Sequence, residues 1–261
     1  MKKIILIMGL PGSGKTTLAK LIAKKLNADW LNADVVRGKY NDWDFSKKGI
    51  LRQVNRMRLL AKKSKNKFVV ADFVCPLKLQ YKIFKPNYVV WMDTIKKSRY
   101  SNMNKIFNKP NFYDLRVTTR DADLWSLAIL DNLLDYNWKN KAETGQMLGR
   151  FQPFHEGHQK LFYEIIKKNN QVYIMVKDVH NLGDNPFNFL KIKKKIKEDL
   201  KPFSKRFKII LVPNITKIYY GRKVGYKFEQ IHLPKNIQKI SATKIRKHLR
   251  LKKKLKEFKI N

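Results

Sequence analysis

The chain has 261 residues, of which 43% are hydrophobic and 12% aromatic, enough apolar material for packed cores. At roughly 150 residues per domain, this length predicts two small domains. Its 58 Lys and Arg residues exceed its 20 Asp and Glu residues and give a formal net charge of +38. No apolar run is long enough to cross a bilayer, so we expect no membrane partner.

The positive charge has two explanations. It favours binding to nucleic acid or another polyanion. Alternatively it reflects codon composition, because Lys is abundant together with Asn, Ile, Phe and Tyr, all of which have A/T-rich codons. The lysines are spread over helix-like segments, which favours the second explanation. We therefore expect small-molecule nucleotides as partners and do not expect nucleic acid, although the charge permits it and a homo-oligomer stays open.

The cellular compartment is indicated by the cysteine content. Cys75 is the one cysteine, so the chain cannot form an intramolecular disulfide, and we expect a cytoplasmic protein. Lys2 and Lys3 followed by an apolar stretch resemble a signal peptide, but a glycine-rich segment follows at once without a cleavage-like site. We interpret the stretch as the first strand of a fold.

Apolar runs and helical spacings alternate along the first half of the chain. Residues 3–8 predict a buried parallel strand, and the spacing of Leu18, Leu21, Ile22 and Leu26 predicts a helix after it. Further strands are predicted at Phe68–Val74 and Tyr88–Met92, and further helices at Ser46–Lys63 and Asp121–Leu134. This alternation predicts an α/β fold with a parallel sheet covered on both faces.

A second β/α series follows a polar stretch at Asn137–Gly145. We therefore predict two parallel-sheet domains, at residues 1–140 and 144–261. The second series has predicted strands at Gln146–Leu148, Val172–Val176 and Lys208–Val212. Its predicted helices include Leu161–Ile166, Phe187–Leu200 and Ala242–Leu249.

The first motif runs from Gly9 to Thr17 and matches the phosphate-binding loop GxxxxGK[ST], between a strand and a helix. Its glycines let backbone N–H groups converge on phosphate oxygens at a helix N-terminus. Lys15 would act catalytically on the β- and γ-phosphates, and the Thr16 hydroxyl would help to hold Mg²⁺. We thus predict ATP and Mg²⁺ as cofactors, bound by Gly9, Gly12, Ser13, Gly14, Lys15, Thr16 and Thr17.

Two charged residues follow where a second strand should end. Asp34 is a candidate to orient or deprotonate an acceptor hydroxyl, or to reach the metal through water. Arg37 is a candidate clamp for an anion. The alternative is that Asp34 caps a helix and Arg37 is a surface charge.

The first 135 residues resemble adenylylsulfate kinases. The family segments Asp-Gly-Asp-x-x-Arg and Asn-x-Asp-x-x-Phe-Ser correspond to residues 32–37 and 41–46. The resemblance implies a phosphate-loop kinase fold, with Asp34 as the acceptor-side carboxylate and Arg37 contacting substrate. It further implies that Arg52 or Arg56 meets the sulfate or phosphate and that Phe45 stacks on the acceptor adenine.

This sequence departs from the family pattern at several positions. Asn32 replaces the first Asp of the family segment, and Cys75 stands where the family has Ser. Asp72 precedes it in a region where anions are expected, and an Asn- and Lys-rich stretch, Ser98–Arg120, replaces the family lid. The acceptor of the kinase therefore stays open.

The second motif is the ten-residue segment Gly149–His158, between a short strand and a helix. His155 and His158 are three residues apart, so both rings lie on one face of the first helical turn. Two imidazoles at a helix N-terminus can donate hydrogen bonds to phosphate oxygens as charge develops at an α-phosphorus. Arg150 adds a fixed guanidinium for a triphosphate.

Residues 146–250 resemble nucleotidyltransferases with the His-x-Gly-His motif, in particular nicotinamide-mononucleotide adenylyltransferases. The segment Ile240–Arg246 matches their late Ile-Ser-x-Thr-x-Ile-Arg segment. The resemblance implies a Rossmann-like (HUP-type) fold and catalysis by His155 and His158. It implies an ATP site formed by Gly149, Arg150, Phe151, His155, His158, Ser241, Thr243 and Arg246.

The acceptor of the second site stays open, because cytidylyltransferases and pantetheine-phosphate adenylyltransferases share the same scheme. Asp178 is a candidate to bind the acceptor, together with Asn181, Asp184 and Asn185. The alternative is that these four residues form an ordinary polar loop. Ser241 has a similar alternative as a simple helix cap.

Two ATP-dependent activities are therefore expected in one chain, a small-molecule kinase and a nucleotidyltransferase that transfers AMP or CMP with release of pyrophosphate. One alternative is a ribosylnicotinamide-type nucleoside kinase joined to a nicotinamide-mononucleotide adenylyltransferase for NAD synthesis. Another is a protein that senses nucleotides or binds nucleic acid without turnover.

Overall fold

Two parallel β-sheets organise the chain in the computed structural model, which describes residues 2–222, 225, 227–252 and 254–255. The chain divides into two units, Met1–Leu133 and Leu134–Asn261, with one sheet in each. The α/β class with parallel sheets, predicted from the alternation of apolar runs and helical spacings, is confirmed.

The sheet of the first unit has five parallel strands in the order β2-β3-β1-β4-β5. The strands are β1 (Lys3–Gly9), β2 (Asp29–Asn32), β3 (Phe68–Phe73), β4 (Tyr88–Met92) and β5 (Leu115–Val117). The helices are α1 (Lys15–Leu26), α2 (Ala33–Lys39), α3 (Lys47–Lys63), α4 (Lys78–Phe84), α5 (Ser101–Ile106) and α6 (Ala122–Leu134).

The centre of this sheet is the core of the first unit. Ile5, Leu6 and Ile7 of β1 are fully buried, as expected for a parallel strand covered on both faces. Each such side chain contributes about 1.5–3 kcal/mol when it is removed from water. In the pairing of β1 with β3, Ile7 lies opposite Asp72. The end of β3 therefore lies beside the start of the glycine-rich loop.

The sheet of the second unit has three parallel strands in the order β6-β7-β8 within the described residues. The strands are β6 (Gly145–Gly149), β7 (Val172–Lys177) and β8 (Phe207–Val212). The helices are α7 (Glu156–Asn169), α8 (Phe189–Asp199), α9 (Lys235–Gln238) and α10 (Ala242–Leu251), and a 3₁₀ turn covers Lys201–Arg206.

Most predicted elements lie within a few residues of the observed ones, and the shifts have local causes. Helix α3 begins at Lys47 because the Ser46 side chain caps it by accepting a hydrogen bond from the Gly49 amide. Helix α8 begins two residues later than predicted because the Asn188 side chain is its cap.

The segment after α6 is joined to the second unit by side-chain hydrogen bonds. The Gln171 side chain accepts hydrogen bonds from the Tyr136 hydroxyl and the Lys139 amide, and it donates one to the Lys139 carbonyl. These bonds tie residues 136–139 to the start of β7, which places them in the second unit.

Among the described residues, no helix combines the length and the apolar character that crossing a membrane requires.

Candidate functional site

The glycine-rich loop joins β1 to α1 in the first unit. Gly9 has φ 148°, and a Cβ there would lie 2.6 Å from the Met92 carbonyl oxygen, so the tight approach to β4 requires glycine. Gly14 has φ 93° and caps α1 without any side-chain hydrogen bond. The first amides of this 12-residue helix are therefore free for an anion.

Lys15 is folded back into this loop and is only 9% exposed. Its Nζ donates a hydrogen bond of 3.0 Å to the Leu10 carbonyl oxygen. Burial lowers the pKa of Lys15 to about 8, against the opposing effect of Asp72 and Asp34. A bound polyphosphate would offset the cost of burying this charge.

The loop also contains a hydroxyl that is ready to bind a ligand. Ser13 is fully buried, and its Oγ has no hydrogen-bond partner. Buried polar groups are normally satisfied, so this hydroxyl fits a phosphate oxygen of a nucleotide. The loop is held from outside, because Thr94 donates to the Ser13 carbonyl at 2.7 Å and Arg120 donates to the Gly12 carbonyl at 2.6 Å.

Asp72 is a buried carboxylate beside the glycine-rich loop to which the sequence analysis gave no role. It is 2% exposed at the end of β3 and accepts hydrogen bonds from the Thr16 hydroxyl at 2.8 Å, Trp30 Nε1 at 2.7 Å and Asn32 Nδ2 at 3.0 Å. Burial raises the pKa of Asp72, while these three donors oppose the rise. The signal in the sequence was a lone carboxylate within the apolar run of β3.

Thr16 and Asp72 together fit the magnesium ion that ATP brings. Within the part of the chain that the structure describes, no group of three or more His, Cys, Asp or Glu side chains could hold a metal. A magnesium ion at a phosphate loop needs no such group, because it is bound by one or two protein oxygens, phosphates and waters.

A cavity of about 220 Å³ lies beside the glycine-rich loop. Met92 and Val117 supply apolar walls, while Thr119 and Arg120 supply polar groups from the segment after β5. Because the cavity also contacts Gly12 and Gly14, a nucleotide whose phosphates occupy the loop would place its ribose or base here. The Ser98–Arg120 stretch therefore contributes to this cavity through its last residues.

Asp34 lies in the first turn of α2 and is exposed, and its side chain makes no hydrogen bond within the described part of the chain. The cap of α2 is Asn32, whose Oδ1 accepts a hydrogen bond from the Val35 amide at 3.0 Å. The alternative that Asp34 serves as a helix cap is therefore wrong. Burial lowers the pKa of both Lys15 and Arg37, and the Asp34 carboxylate opposes that shift at each residue.

The arginine cluster consists of Arg37, Arg52 and Arg56, and Asp42 lies at its centre. Arg52 donates two hydrogen bonds of 2.8 Å to the Asp42 carboxylate, and Arg56 donates one of 3.0 Å. Arg37 is 5% exposed and donates to the carbonyl oxygens of Asp42 and Asp44. The arginines hold the pKa of the Asp42 carboxyl well below its usual range.

Exposed aromatic rings surround this cluster. The Arg37 guanidinium lies 4.7 Å from the centre of the Phe45 ring, and the Arg56 guanidinium lies 4.1 Å from that of Tyr40. Phe45, Tyr40 and Trp43 are each about half exposed. The structure thus brings together Arg37, Phe45, Arg52 and Arg56, which the resemblance implied, and adds Asp42.

Cys75 is 1% exposed with φ 52°, and burial raises the pKa of its thiol strongly. A thiol that is protonated and inaccessible is not a nucleophile. Cys75 is therefore a small core residue.

In the second unit, His155 and His158 stack at the N-terminus of α7, with ring centres 3.8 Å apart. His155 Nδ1 accepts a hydrogen bond from the Gly157 amide, and His158 Nδ1 accepts one from the His155 amide. Because both Nδ1 atoms accept, the neutral rings carry their protons on Nε2. Burial and the neighbouring His155 lower the pKa of His158 to about 3, and burial also lowers that of His155.

The aromatic residues of the same segment position this pair. Phe151 and Phe154 are buried, and their ring centres lie 5.0 and 5.4 Å from that of His158. A Cβ at Gly157 would lie 3.0 Å from the His155 ring, so glycine leaves the ring its space. Gly149 plays a similar part, since a Cβ there would lie 2.8 Å from the Phe151 ring.

Helix α10 brings the late motif to this segment. Arg246 is 6% exposed and donates a hydrogen bond of 2.7 Å to the Gln152 carbonyl and one of 3.2 Å to the Thr243 hydroxyl. Ser241 occupies the N-cap position of α10, but its side chain makes no cap hydrogen bond. The Ser241 hydroxyl is therefore not used as a helix cap and can bind a ligand.

Two further candidates of the second site, Arg150 and Asp178, are exposed. Arg150 projects from the end of β6 and is exposed. Asp178 follows β7, is exposed, and its amide donates to the Val212 carbonyl. Asn185 is buried, and its backbone carbonyl and side-chain amide form hydrogen bonds within its own loop, while its Oδ1 is buried without a partner.

Comparisons with known proteins concern the first unit. The model of the AAA family (ATPase family associated with various cellular activities) matches residues 5–74, from β1 to the end of β3. The comparison with curated proteins found no match. The matched residues include the glycine-rich loop between β1 and α1, Gly9–Thr17, which follows the phosphate-binding pattern.

Three solved structures are similar to about half of this chain. An APS kinase mutant from Mycobacterium tuberculosis is 24% identical, with a TM-score of 0.43 and coverage of 52% of this chain and 98% of its own. A shikimate kinase from Acinetobacter baumannii, solved with shikimate, is 18% identical, with a TM-score of 0.41 and coverage of 53% and 97%. A gluconokinase from Sinorhizobium meliloti is 14% identical, with a TM-score of 0.38 and coverage of 51% and 95%.

Proposed function

We propose that the first unit is an ATP-dependent kinase that phosphorylates a hydroxyl of a small anionic acceptor, in the manner of an adenylylsulfate kinase. One observation carries the proposal: the Thr16 hydroxyl is hydrogen-bonded to Asp72 beside the buried amine of Lys15. A polyphosphate site and a magnesium site thus lie next to each other at the end of β1.

The residues of this unit divide the work of phosphoryl transfer. Backbone amides of the loop, the Ser13 hydroxyl and Lys15 bind the β- and γ-phosphates. Thr16 and Asp72 would hold Mg²⁺, which when bound neutralises charge on the phosphate oxygens. The acceptor oxygen bonds to the γ-phosphorus as the bond to the β–γ bridging oxygen breaks, Asp34 takes the hydroxyl proton, and ADP leaves.

The arginine cluster supports an acceptor that is both anionic and aromatic. Three guanidinium groups face the carboxylates of Asp42 and Asp44, and Asp34 also acts on Arg37, so a sulfate or phosphate would bind the arginines in competition with these carboxylates. The half-exposed rings of Phe45, Tyr40 and Trp43 offer stacking surfaces for a base. Adenylylsulfate carries both features, which makes it the first acceptor to test.

The kinase proposal is tested with ATP labelled at the γ-phosphate. We would incubate the full chain with Mg-ATP and either adenylylsulfate or ribosylnicotinamide, and measure label in the acceptor. Transfer to adenylylsulfate that is lost in Asp34→Asn supports the proposal. Transfer only to ribosylnicotinamide would replace the acceptor, and transfer to neither would contradict the acceptor class.

For the second unit we propose a nucleotidyltransferase with a HUP-type fold, closest to a nicotinamide-mononucleotide adenylyltransferase. The stacked pair of His155 and His158 supports it, because two neutral imidazoles with Nε2–H donors at a helix N-terminus suit a pentacoordinate phosphate. Arg246, held on the Gln152 carbonyl, supplies a charge from α10 to the same segment.

In this reaction a phosphate oxygen of the acceptor bonds to the α-phosphorus, and the bond to the α–β bridging oxygen breaks. His155 and His158 would donate to the α-phosphate, while Ser241, Thr243 and Arg246 would bind the leaving pyrophosphate. The protein mainly positions and neutralises charge. The test is formation of pyrophosphate from ATP or CTP with nicotinamide mononucleotide, and no pyrophosphate with any acceptor would contradict the proposal.

A further inference from the structure

A carboxylate covers the arginines of α10 in the second unit. Asp184 lies in the loop between β7 and α8 and forms ion pairs with Arg246 Nη2 and Arg250 Nη2, both at 3.2 Å. Its side chain is 52% exposed, whereas those of Arg246 and Arg250 are 7% and 25% exposed. Asp184 is thus the more exposed partner in both ion pairs.

Each of the two arginines has a hydrogen-bond donor that lacks an acceptor. The Nε atoms of both Arg246 and Arg250 are buried without a hydrogen-bond partner. A buried N–H group of a cation costs free energy when it has no hydrogen-bond acceptor. A phosphate offers three oxygens where a carboxylate offers two, and guanidinium groups bind both in the same forked geometry.

We propose that Asp184 is a displaceable counter-ion and that Arg246 and Arg250 together form the polyphosphate subsite of the second unit. A nucleoside triphosphate then binds in competition with an intramolecular carboxylate. This inference rests on the proposed nucleotidyltransferase function and adds two residues to it. Arg250 becomes a binding residue, and Asp184 sets the affinity for the nucleotide.

The backbone next to Asp184 lies in open space, which allows the Asp184 side chain to move away from the arginines. Gly183 has φ 54°, which glycine adopts at little cost, and a Cβ there would have nothing within 4 Å. The adjoining Asn185 is buried and anchored by hydrogen bonds within the loop. The carboxylate can therefore turn toward solvent while the anchored part of the loop stays in place.

Arg246 keeps its position when Asp184 leaves. Its Nη1 remains on the Gln152 carbonyl at 2.7 Å, a contact that does not involve the carboxylate. The subsite is thus preorganised next to the histidine segment. If Asp184 served instead to orient the arginines, its removal would weaken anion binding, so the two roles predict changes of opposite sign.

The experiment compares Asp184→Asn with wild type in the full chain. ATP and inorganic tripolyphosphate are titrated while the imidazole NMR signals of His155 and His158 report occupancy of this site alone. An ion pair with a partly exposed carboxylate is worth up to about 1 kcal/mol. Because the ligand no longer has to displace that pair, we expect the Asp184→Asn protein to bind ATP and tripolyphosphate about fivefold more tightly than wild type. Arg250→Gln should bind more weakly.

Glu229→Gln is the matched control. Glu229 is 53% exposed and pairs with Lys168 on α7, so the variant makes the same change in net charge and should leave the dissociation constant unchanged. Asp184→Ser provides a second neutral variant, and unchanged histidine signals without ligand show that each variant is folded. An Asp184→Asn protein that binds equally or more weakly would overturn the inference, while histidine signals unmoved in every variant would contradict the transferase proposal as well.

Discussion

The hydroxyl of Thr16 donates a hydrogen bond of 2.8 Å to the carboxylate of Asp72, although 56 residues separate them in the chain. Strands β1 and β3 are neighbours in the sheet, so the loop after the first lies beside the end of the second. The contact joins the hydroxyl that we propose as a magnesium ligand to a buried carboxylate.

Asp72→Asn should remove the dependence of ATP binding on Mg²⁺. The amide keeps the size of the side chain but loses the negative charge that would attract the ion through Thr16. We expect the affinity for ATP to be nearly the same with Mg²⁺ and with chelator, and phosphoryl transfer to fall by at least about a hundredfold. Calorimetric titration of ATP in both conditions checks this, and full retention of the Mg²⁺ effect would contradict it.

Lys15→Met should stabilise the protein without nucleotide at pH 7. The pKa of Lys15 falls from 10.5 in the unfolded chain to about 8 in the fold because the amine is buried. Near neutral pH the fold therefore holds a desolvated charge, whose removal is worth up to about 3 kcal/mol. Thermal unfolding should show a higher midpoint for the variant.

The pH dependence of that difference gives its control. Above pH 8 the folded amine of Lys15 loses its proton while the unfolded chain keeps one up to about pH 10.5, so the wild type gains stability as pH rises through this window. The difference in unfolding midpoint between wild type and Lys15→Met should therefore decrease between pH 8 and about pH 10.5. A gap that widens with pH would show that burial of the charge is not its cause.

Arg52→Gln should raise the KM for the acceptor at least tenfold (about 1.4 kcal/mol) and leave the KM for ATP unchanged. Arg52 holds Asp42 in the cluster proposed to bind the acceptor anion. Arg58 offers the matched control, because it lies on the same helix and donates instead to the Lys85 carbonyl. Equal effects of Arg52→Gln and Arg58→Gln would show that general charge, and not the cluster, attracts the acceptor.

The His158 imidazole should remain neutral well below pH 6. Its pKa is lowered to about 3 by burial and by His155, so the unfolded chain binds a proton between pH 6.5 and 3 that the fold does not. Stability is therefore lost as pH falls through this window, by about 2 kcal/mol at pH 5. An NMR titration checks the ring, and a His158 signal that titrates near pH 6 would contradict the burial argument.

Much of the fold could be predicted because the central strands are buried on both faces. The runs at β1, β3 and β4 are continuous and apolar, and Tyr88–Met92 was predicted with its observed bounds. The elements that the analysis did not place, such as α4, α5 and β5, have three to seven residues. Segments that short carry too few apolar positions to show a period.

The candidate sites were predicted where a motif fixes local backbone geometry, as in the glycine-rich loop and the His155–His158 segment. They were incomplete where partners come from distant parts of the chain. Asp72 meets Thr16 only through the pairing of β1 with β3, and Asp42 meets Arg52 and Arg56 only through the packing of the loop before α3. Such contacts depend on tertiary structure, which residue spacing does not encode.

The central claim is that one chain carries two independent ATP-dependent sites. The most direct measurement is ³¹P NMR of the full chain with Mg-ATP, adenylylsulfate and nicotinamide mononucleotide, for wild type, Lys15→Ala and His158→Ala. We expect both ADP and pyrophosphate with wild type, loss of ADP formation only in Lys15→Ala, and loss of pyrophosphate formation only in His158→Ala. Loss of both products in either variant, or of neither, would contradict two independent sites.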